Sequence, residues 1–220
     1  MKKIIYIIGT DGSGKTTLSN NLISHYKIKG VNATYFYARH FPFLLKPFKM
    51  LGRRTALNKT DEFKNYDGYK DKKNTFFTNH RIIAIIYGFI WAVDYLLITL
   101  LRLFPKLIRN NLIIMDRFFL DTTVNISESI NLNDDQMLKL ARFLGLFFPE
   151  SKLNIFIKVS PQVAFSRKTD IQSIRYLEER NRRYKVFSEK YNFIEINGEN
   201  RLEVVFEQAK ELINNRLLSR

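Results

Sequence analysis

Lys3-Ile4-Ile5-Tyr6-Ile7-Ile8-Gly9-Thr10-Asp11-Gly12-Ser13-Gly14-Lys15-Thr16-Thr17 carries two signals in direct succession. The first six residues are a short, isoleucine-rich apolar run, which predicts a buried strand. Gly9 to Thr16 then match the pattern G-x-x-x-x-G-K-[ST], and the residues from Lys15 to Lys29 predict a helix closed by Gly30. A glycine loop between strand and helix is the context in which this pattern binds phosphate. Glycines let consecutive backbone N–H groups turn inward around phosphate oxygens, and the helix N-terminus adds the positive end of its dipole. Lys15 is then expected to reach the β/γ-phosphates of ATP, with Gly9, Gly12, Ser13, Gly14, Thr16 and Thr17 completing the cradle and the Thr16 hydroxyl facing Mg²⁺.

Strand and helix signals alternate along the rest of the chain. Ala33 to Ala38 predicts a second strand, Leu112 to Met115 a third, Leu153 to Val159 a fourth and Phe193 to Ile196 a fifth. Helices are predicted over Phe76–Phe104 (ended by Pro105), Thr122–Ile130, Asp134–Phe147 with Asn133 as its cap, from Pro161, and up to about Lys190. A final helix follows the Asn197-Gly198 turn. Thr60 to Asn74 is polar and reads as a mobile loop. Phe41 to Arg54 is basic, aromatic and broken by Pro42, Pro47 and Gly52. Such alternation predicts an α/β fold: a doubly wound three-layer sandwich around a five-stranded parallel sheet. Residues 1–220 are expected to form one domain, with an acceptor region at about 39–104 and a lid at about 167–175.

Composition narrows the chemistry. With no cysteine, disulfides and thiolate metal sites are excluded. Met1-Lys2-Lys3 is a basic start, but Ile4 to Ile8 is too short for a signal sequence, so a cytoplasmic protein is expected. The 36 basic and 21 acidic residues leave a formal charge of +15, which favours polyanionic partners: nucleotides, nucleic acid or an anionic membrane face. No basic-aromatic recognition motif accompanies the charge, so nucleic acid is not expected. Ile82 to Leu101 contains a single charge, Asp94, and approaches membrane-spanning length. A mid-helix carboxylate is costly in lipid and the third strand follows closely, so a buried helix is expected. A second reading rests Phe41–Arg54 and this helix on an anionic membrane surface.

Asp116 closes the third strand, where a carboxylate would hold Mg²⁺ directly or through water. Arg117 beside it offers a planar fork for an acceptor's anionic group. Arg167 and Lys168 begin a polar break between helices and suit a basic lid that closes over a transferring phosphoryl group.

These residues resemble the thymidylate kinase family of P-loop nucleoside monophosphate kinases. Gly9-Thr10-Asp11-Gly12-Ser13-Gly14-Lys15-Thr16-Thr17 is similar to that family's G-x-[DE]-G-x-G-K-[ST]-T. Asp116-Arg117-Phe118 resembles its D-R-[YFH]. Val159-Ser160-Pro161 with Ala164, Arg167 and Lys168 resembles its fourth strand and lid entry, and Glu178-Glu179-Arg180 with Tyr184 its next helix. Arg39-His40-Phe41-Pro42 faintly resembles its R-F-P turn. The resemblance implies strand order 2-3-1-4-5 and transfer of the γ-phosphoryl of Mg-ATP to a nucleoside monophosphate. It also implies that Asp11 orients the acceptor or takes its proton and that Arg117 binds the acceptor phosphate. With Gly12 where some members carry arginine, Arg167 and Lys168 supply the lid charge. Family members pair through helices beside the acceptor site, so a homodimer through Ile82–Leu101 is a further implication. The departures lie at base-reading positions: Asp94-Tyr95 stands for a D-R or N-R pair, and Asp121-Thr122-Thr123-Val124-Asn125 for S-x-x-A-[YF]. Arg39, Asp94 and Tyr95 remain the candidate acceptor contacts beside Asp11 and Arg117. A sugar, a nucleoside or a lipid-linked molecule remains open as acceptor, as does a nucleotide-binding module without catalysis.

Overall fold

The computed structural model describes residues 3–39, 43, 66–168 and 173–218. Five strands, β1 (Lys3–Ile8), β2 (Ala33–Tyr37), β3 (Leu112–Asp116), β4 (Leu153–Lys158) and β5 (Ile194–Asn197), form one all-parallel sheet. Their order, β2-β3-β1-β4-β5, is the expected one. β1 is central. Lys3 pairs with Leu112 on one side, and Ile5 pairs with Leu153 on the other.

The apolar runs are near-continuous because the sheet is covered on both faces. Ile5, Ile7, Ile114, Ile155 and Ile157 point to one face and share a core with Leu18, Leu22, Val205 and Ala209. The intervening Ile4, Tyr6, Ile113, Met115 and Phe156 are also buried. Tyr6 stacks on Phe118 at 3.9 Å between ring centres, and its hydroxyl donates to the Pro149 carbonyl.

The helices are α1 (Lys15–Ile28), α2 (Tyr66–Asn79), α3 (Arg81–Arg109), α4 (Phe119–Ile130), α5 (Asp134–Gly145), α6 (Pro161–Ser166), α7 (Ile174–Lys190) and α8 (Leu202–Ile213), with a π-helical turn at Asn214–Leu218. The described chain divides into two compact units. One comprises residues 1–39, 102–118 and 148–220 and holds the sheet; the other comprises 40–101 and 119–147. Within the second, α4 packs against both α2 and α5. Asn133 and Gln136 form a reciprocal capping box at the start of α5.

Three expectations are corrected. The loop read through Thr60–Asn74 is helical from Tyr66 onward. Its polar sequence has weak helix preference, but Phe77 is buried and Lys73 donates to Ser129 at 3.0 Å, so packing decides. The helix expected over Phe76–Phe104 is split at His80, and Phe76 belongs to α2. Pro105 does not end α3, which continues to Arg109. Pro105 is exposed and lies one turn from the helix end, where the helix forgoes one hydrogen bond and continues. The basic-aromatic stretch Phe41–Arg54, save Phe43, lies outside the described residues, as does 169–172 of the expected lid.

Helix α3 is long and apolar enough to cross a membrane, its most apolar 18 residues having a mean hydropathy of 2.1. The expectation of a buried helix holds for one face only. Ala84, Gly88, Ala92, Asp94, Tyr95 and Thr99 are buried, whereas Ile82, Phe89 and Leu101 are exposed.

Candidate functional site

Residues 9–14 link central strand β1 to α1 through a loop that repeatedly uses left-handed backbone. Gly12 has φ 83° and Gly14 φ 86°. Gly14 is the N-cap of α1 and no side-chain hydrogen bond caps that end, the form a helix start takes where an anion can bind. At Gly12 a Cβ would overlap the Ala164 carbonyl oxygen, because α6 lies against the loop. No side chain fits there, which gives a physical reason for glycine where an arginine is an alternative.

Lys15 is buried and its ammonium donates to the Thr10 carbonyl at 2.6 Å and to Ser13 Oγ at 3.2 Å. It therefore lies folded along the loop that it is expected to serve. The Thr16 hydroxyl donates to Asp116 Oδ2 at 2.8 Å, which joins α1 to the end of β3. Tyr35 on β2 donates to the same oxygen at 2.9 Å. Burial first, then the Asp116 charge beside it, pushes the Tyr35 hydroxyl well above its ordinary range.

Asp116 is fully buried, and its other oxygen, Oδ1, has no hydrogen-bond partner among the described residues. A buried carboxylate oxygen left open beside a threonine hydroxyl fits a hard cation. Among the described residues no cluster of three or more histidine or acidic side chains could enclose a metal by itself.

Asp11 lies in a nest of cations. Arg117 forms an ion pair with it, and Tyr176 of α7 donates to its Oδ2 at 3.1 Å. Burial pushes its carboxyl up, but the charges of Arg117, Arg180 and Lys15 and the Tyr176 hydrogen bond outweigh this and hold it well below the usual carboxylate range. Arg117 is left-handed at φ 54°, a conformation sparsely populated outside glycine and costing about 1 kcal/mol or more. Arg180 is buried between Tyr176 and Tyr184, with its guanidinium 5.1 and 5.7 Å from their ring centres.

The structure thus brings Asp11, Lys15, Thr16, Asp116 and Arg117 together. Tyr35, Tyr176 and Arg180 join them without having been singled out for the site. Only Arg180 carried a signal, as part of the Glu178-Glu179-Arg180 run that resembles the family's helix beyond the lid. Arg167 is exposed and donates to the Gly198 carbonyl at 2.8 Å, and Lys168 is exposed beside it. Arg39 is exposed just beyond β2. Asp94 and Tyr95 belong to the second unit, where both are buried and Asp94 accepts a hydrogen bond from the Phe43 N–H at 2.9 Å. Asp121, Thr122 and Thr123 are buried in α4 of the same unit, and Thr123 donates to the Phe119 carbonyl.

No known family model matches the chain, and no curated protein is significantly similar to it in sequence.

Proposed function

We propose that this chain is an ATP- and Mg²⁺-dependent phosphotransferase with a P-loop kinase fold, resembling thymidylate kinases, that moves the γ-phosphoryl group of ATP to a nucleoside monophosphate. The observation that carries the reading is the junction of the Gly9–Thr16 loop with the end of β3, where the Thr16 hydroxyl meets a buried Asp116 that keeps one oxygen open. Loop amides and Lys15 would hold the β/γ-phosphates, and Thr16 and Asp116 would hold Mg²⁺, whose charge offsets that of the phosphates.

Little covalent chemistry is asked of the protein in such a transfer: an acceptor oxygen bonds to the γ-phosphorus as the bond to the β–γ bridging oxygen breaks. Arg117 offers the fork for the acceptor phosphate. Asp11 is better suited to orienting the acceptor than to taking a proton, since a carboxyl held that low is a weak base near neutral pH. Arg180, buried beside Asp11, adds positive charge from within the fold. Arg167 and Lys168 are the lid cations of this reading.

A second acceptor class, a sugar, nucleoside or lipid-linked molecule, is favoured by one feature. Asp94-Tyr95 and Asp121-Thr122 replace the expected base-reading residues with buried groups. One experiment separates the readings. ATP turnover with Mg²⁺ is measured against monophosphates, nucleosides and phosphosugars, with Lys15→Ala as the blank. Monophosphate-stimulated turnover that falls at least about a hundredfold in the blank supports the first reading. Stimulation by another acceptor supports the second, and no acceptor-dependent turnover across the panel rejects both.

A further inference from the structure

Three elements of the unit that holds the sheet converge on one oxygen atom. Tyr35 of β2 pairs in register with Ile114 of β3, and both lie against the core that includes Leu18 and Leu22 of α1. Asp116 follows Ile114 by two residues, so it points to the same face of the sheet. The first turn of α1 brings Thr16 there. Asp116 Oδ2 accepts from the Thr16 hydroxyl at 2.8 Å and from the Tyr35 hydroxyl at 2.9 Å. A carboxylate oxygen offers two lone-pair directions, so these two donors saturate it. Oδ1 of the same buried side chain has no hydrogen-bond partner among the described residues.

The Tyr35 hydroxyl is not needed to hold β2 in place. That strand pairs with β3 along its whole length, Ala33 to Tyr37 against Leu112 to Asp116. The Tyr35 ring is held by the core and by Tyr37, whose ring stacks with it at 6.4 Å between centres. A phenylalanine would keep all of these contacts. What the hydroxyl adds is a second tether on Asp116. With Thr16 alone, the carboxylate is free to turn about a terminal torsion that is broad and two-fold.

We propose that Tyr35 is a positioning residue for the metal. By saturating Oδ2 together with Thr16, it limits Asp116 to a single-oxygen contact through Oδ1, and so favours Mg²⁺ over Ca²⁺. Mg²⁺ demands a near-ideal octahedron, whereas Ca²⁺ accepts both oxygens of one carboxylate in a looser shell. Thr16 serves both partners, since its hydrogen goes to Oδ2 and its oxygen keeps a lone pair for the cation. Outer hydrogen bonds of this kind orient a ligand and tune its affinity for metal. This role rests on the reading of Thr16 and Asp116 as the metal site of a phosphotransferase, and adds to it the tyrosine and the choice of ion.

ATP affinity of the full chain, measured by isothermal titration calorimetry with EDTA, with Mg²⁺ and with Ca²⁺, tests it on the wild type and Tyr35→Phe. In the wild type, Mg²⁺ should tighten ATP binding more than Ca²⁺ does, a comparison that needs no variant. In Tyr35→Phe the tightening by Mg²⁺ should shrink about tenfold. The gap between the two ions should narrow, while affinity in EDTA stays unchanged. Equal losses with and without metal would assign the hydroxyl to packing and overturn the proposal. Equivalence of the two ions in the wild type would also overturn it. Mg²⁺-dependent binding that is identical in the variant would remove Tyr35 and leave the metal site standing. ATP bound as tightly in EDTA as in Mg²⁺ by the wild type would remove both.

Discussion

Asp116 concentrates the argument at the scale of one side chain. Its buried charge is met by two hydroxyls, from Thr16 and Tyr35, while one oxygen stays open. Asp116→Asn preserves shape and retains an acceptor for both hydroxyls while removing the charge. Turnover should fall at least about a hundredfold, with a melting temperature unchanged or higher, because a buried carboxylate without a counter-ion is costly; kinetics beside thermal melts check both. Asp11 gives a pH signature. Its folded carboxyl is held below the unfolded value of about 4, so its contribution to stability is present above that pH and is lost as pH falls towards the folded value. Asp11→Asn should therefore flatten the acid limb of stability below about pH 4, read by denaturant midpoints at stepped pH. Asp116 and Arg117 were legible because they end an apolar strand. Tyr35 and Tyr176 were not, because each reaches a carboxylate about eighty or more positions away in sequence, and nothing local marks a tyrosine for such a contact.

Elements were most legible where a short apolar run met a turn residue, as at Ile8-Gly9 and Met115-Asp116. They were least legible where packing outweighs local preference. Residues from Tyr66 to Asn74 read as loop on polarity, yet form part of α2. Pro105 read as a stop, yet α3 runs through it for another turn. Asn133 shows the opposite case, a cap read from sequence that makes both capping-box hydrogen bonds. Asn133→Ala should cost about 1 kcal/mol, or roughly 2–4 °C in melting temperature for a chain of this size. Asn133→Ser should recover most of it, as differential scanning calorimetry would show.

Considered whole, the chain has a sheet whose parallel order was expected from family resemblance and is the observed one. Asp94, Tyr95 and Asp121, the expected acceptor contacts and their neighbour, were less legible, since the described residues of their helical unit include no glycine loop to mark a site. On the phosphotransfer reading, ATP with Mg²⁺ at a hundred times its dissociation constant should stabilise the fold by about 2.7 kcal/mol. Chelating the metal should shrink that thermal shift, and Lys15→Ala should abolish it. The central position of β1 has another consequence, in time. During synthesis Lys3 and Ile5 emerge well before their partners, Leu112 and Leu153. Until those partners follow, β1 is an unpaired, isoleucine-rich edge exposed to aggregation. Slow, chaperone-sensitive folding is the expected cost of placing at the middle of the sheet a strand that precedes both its partners in sequence.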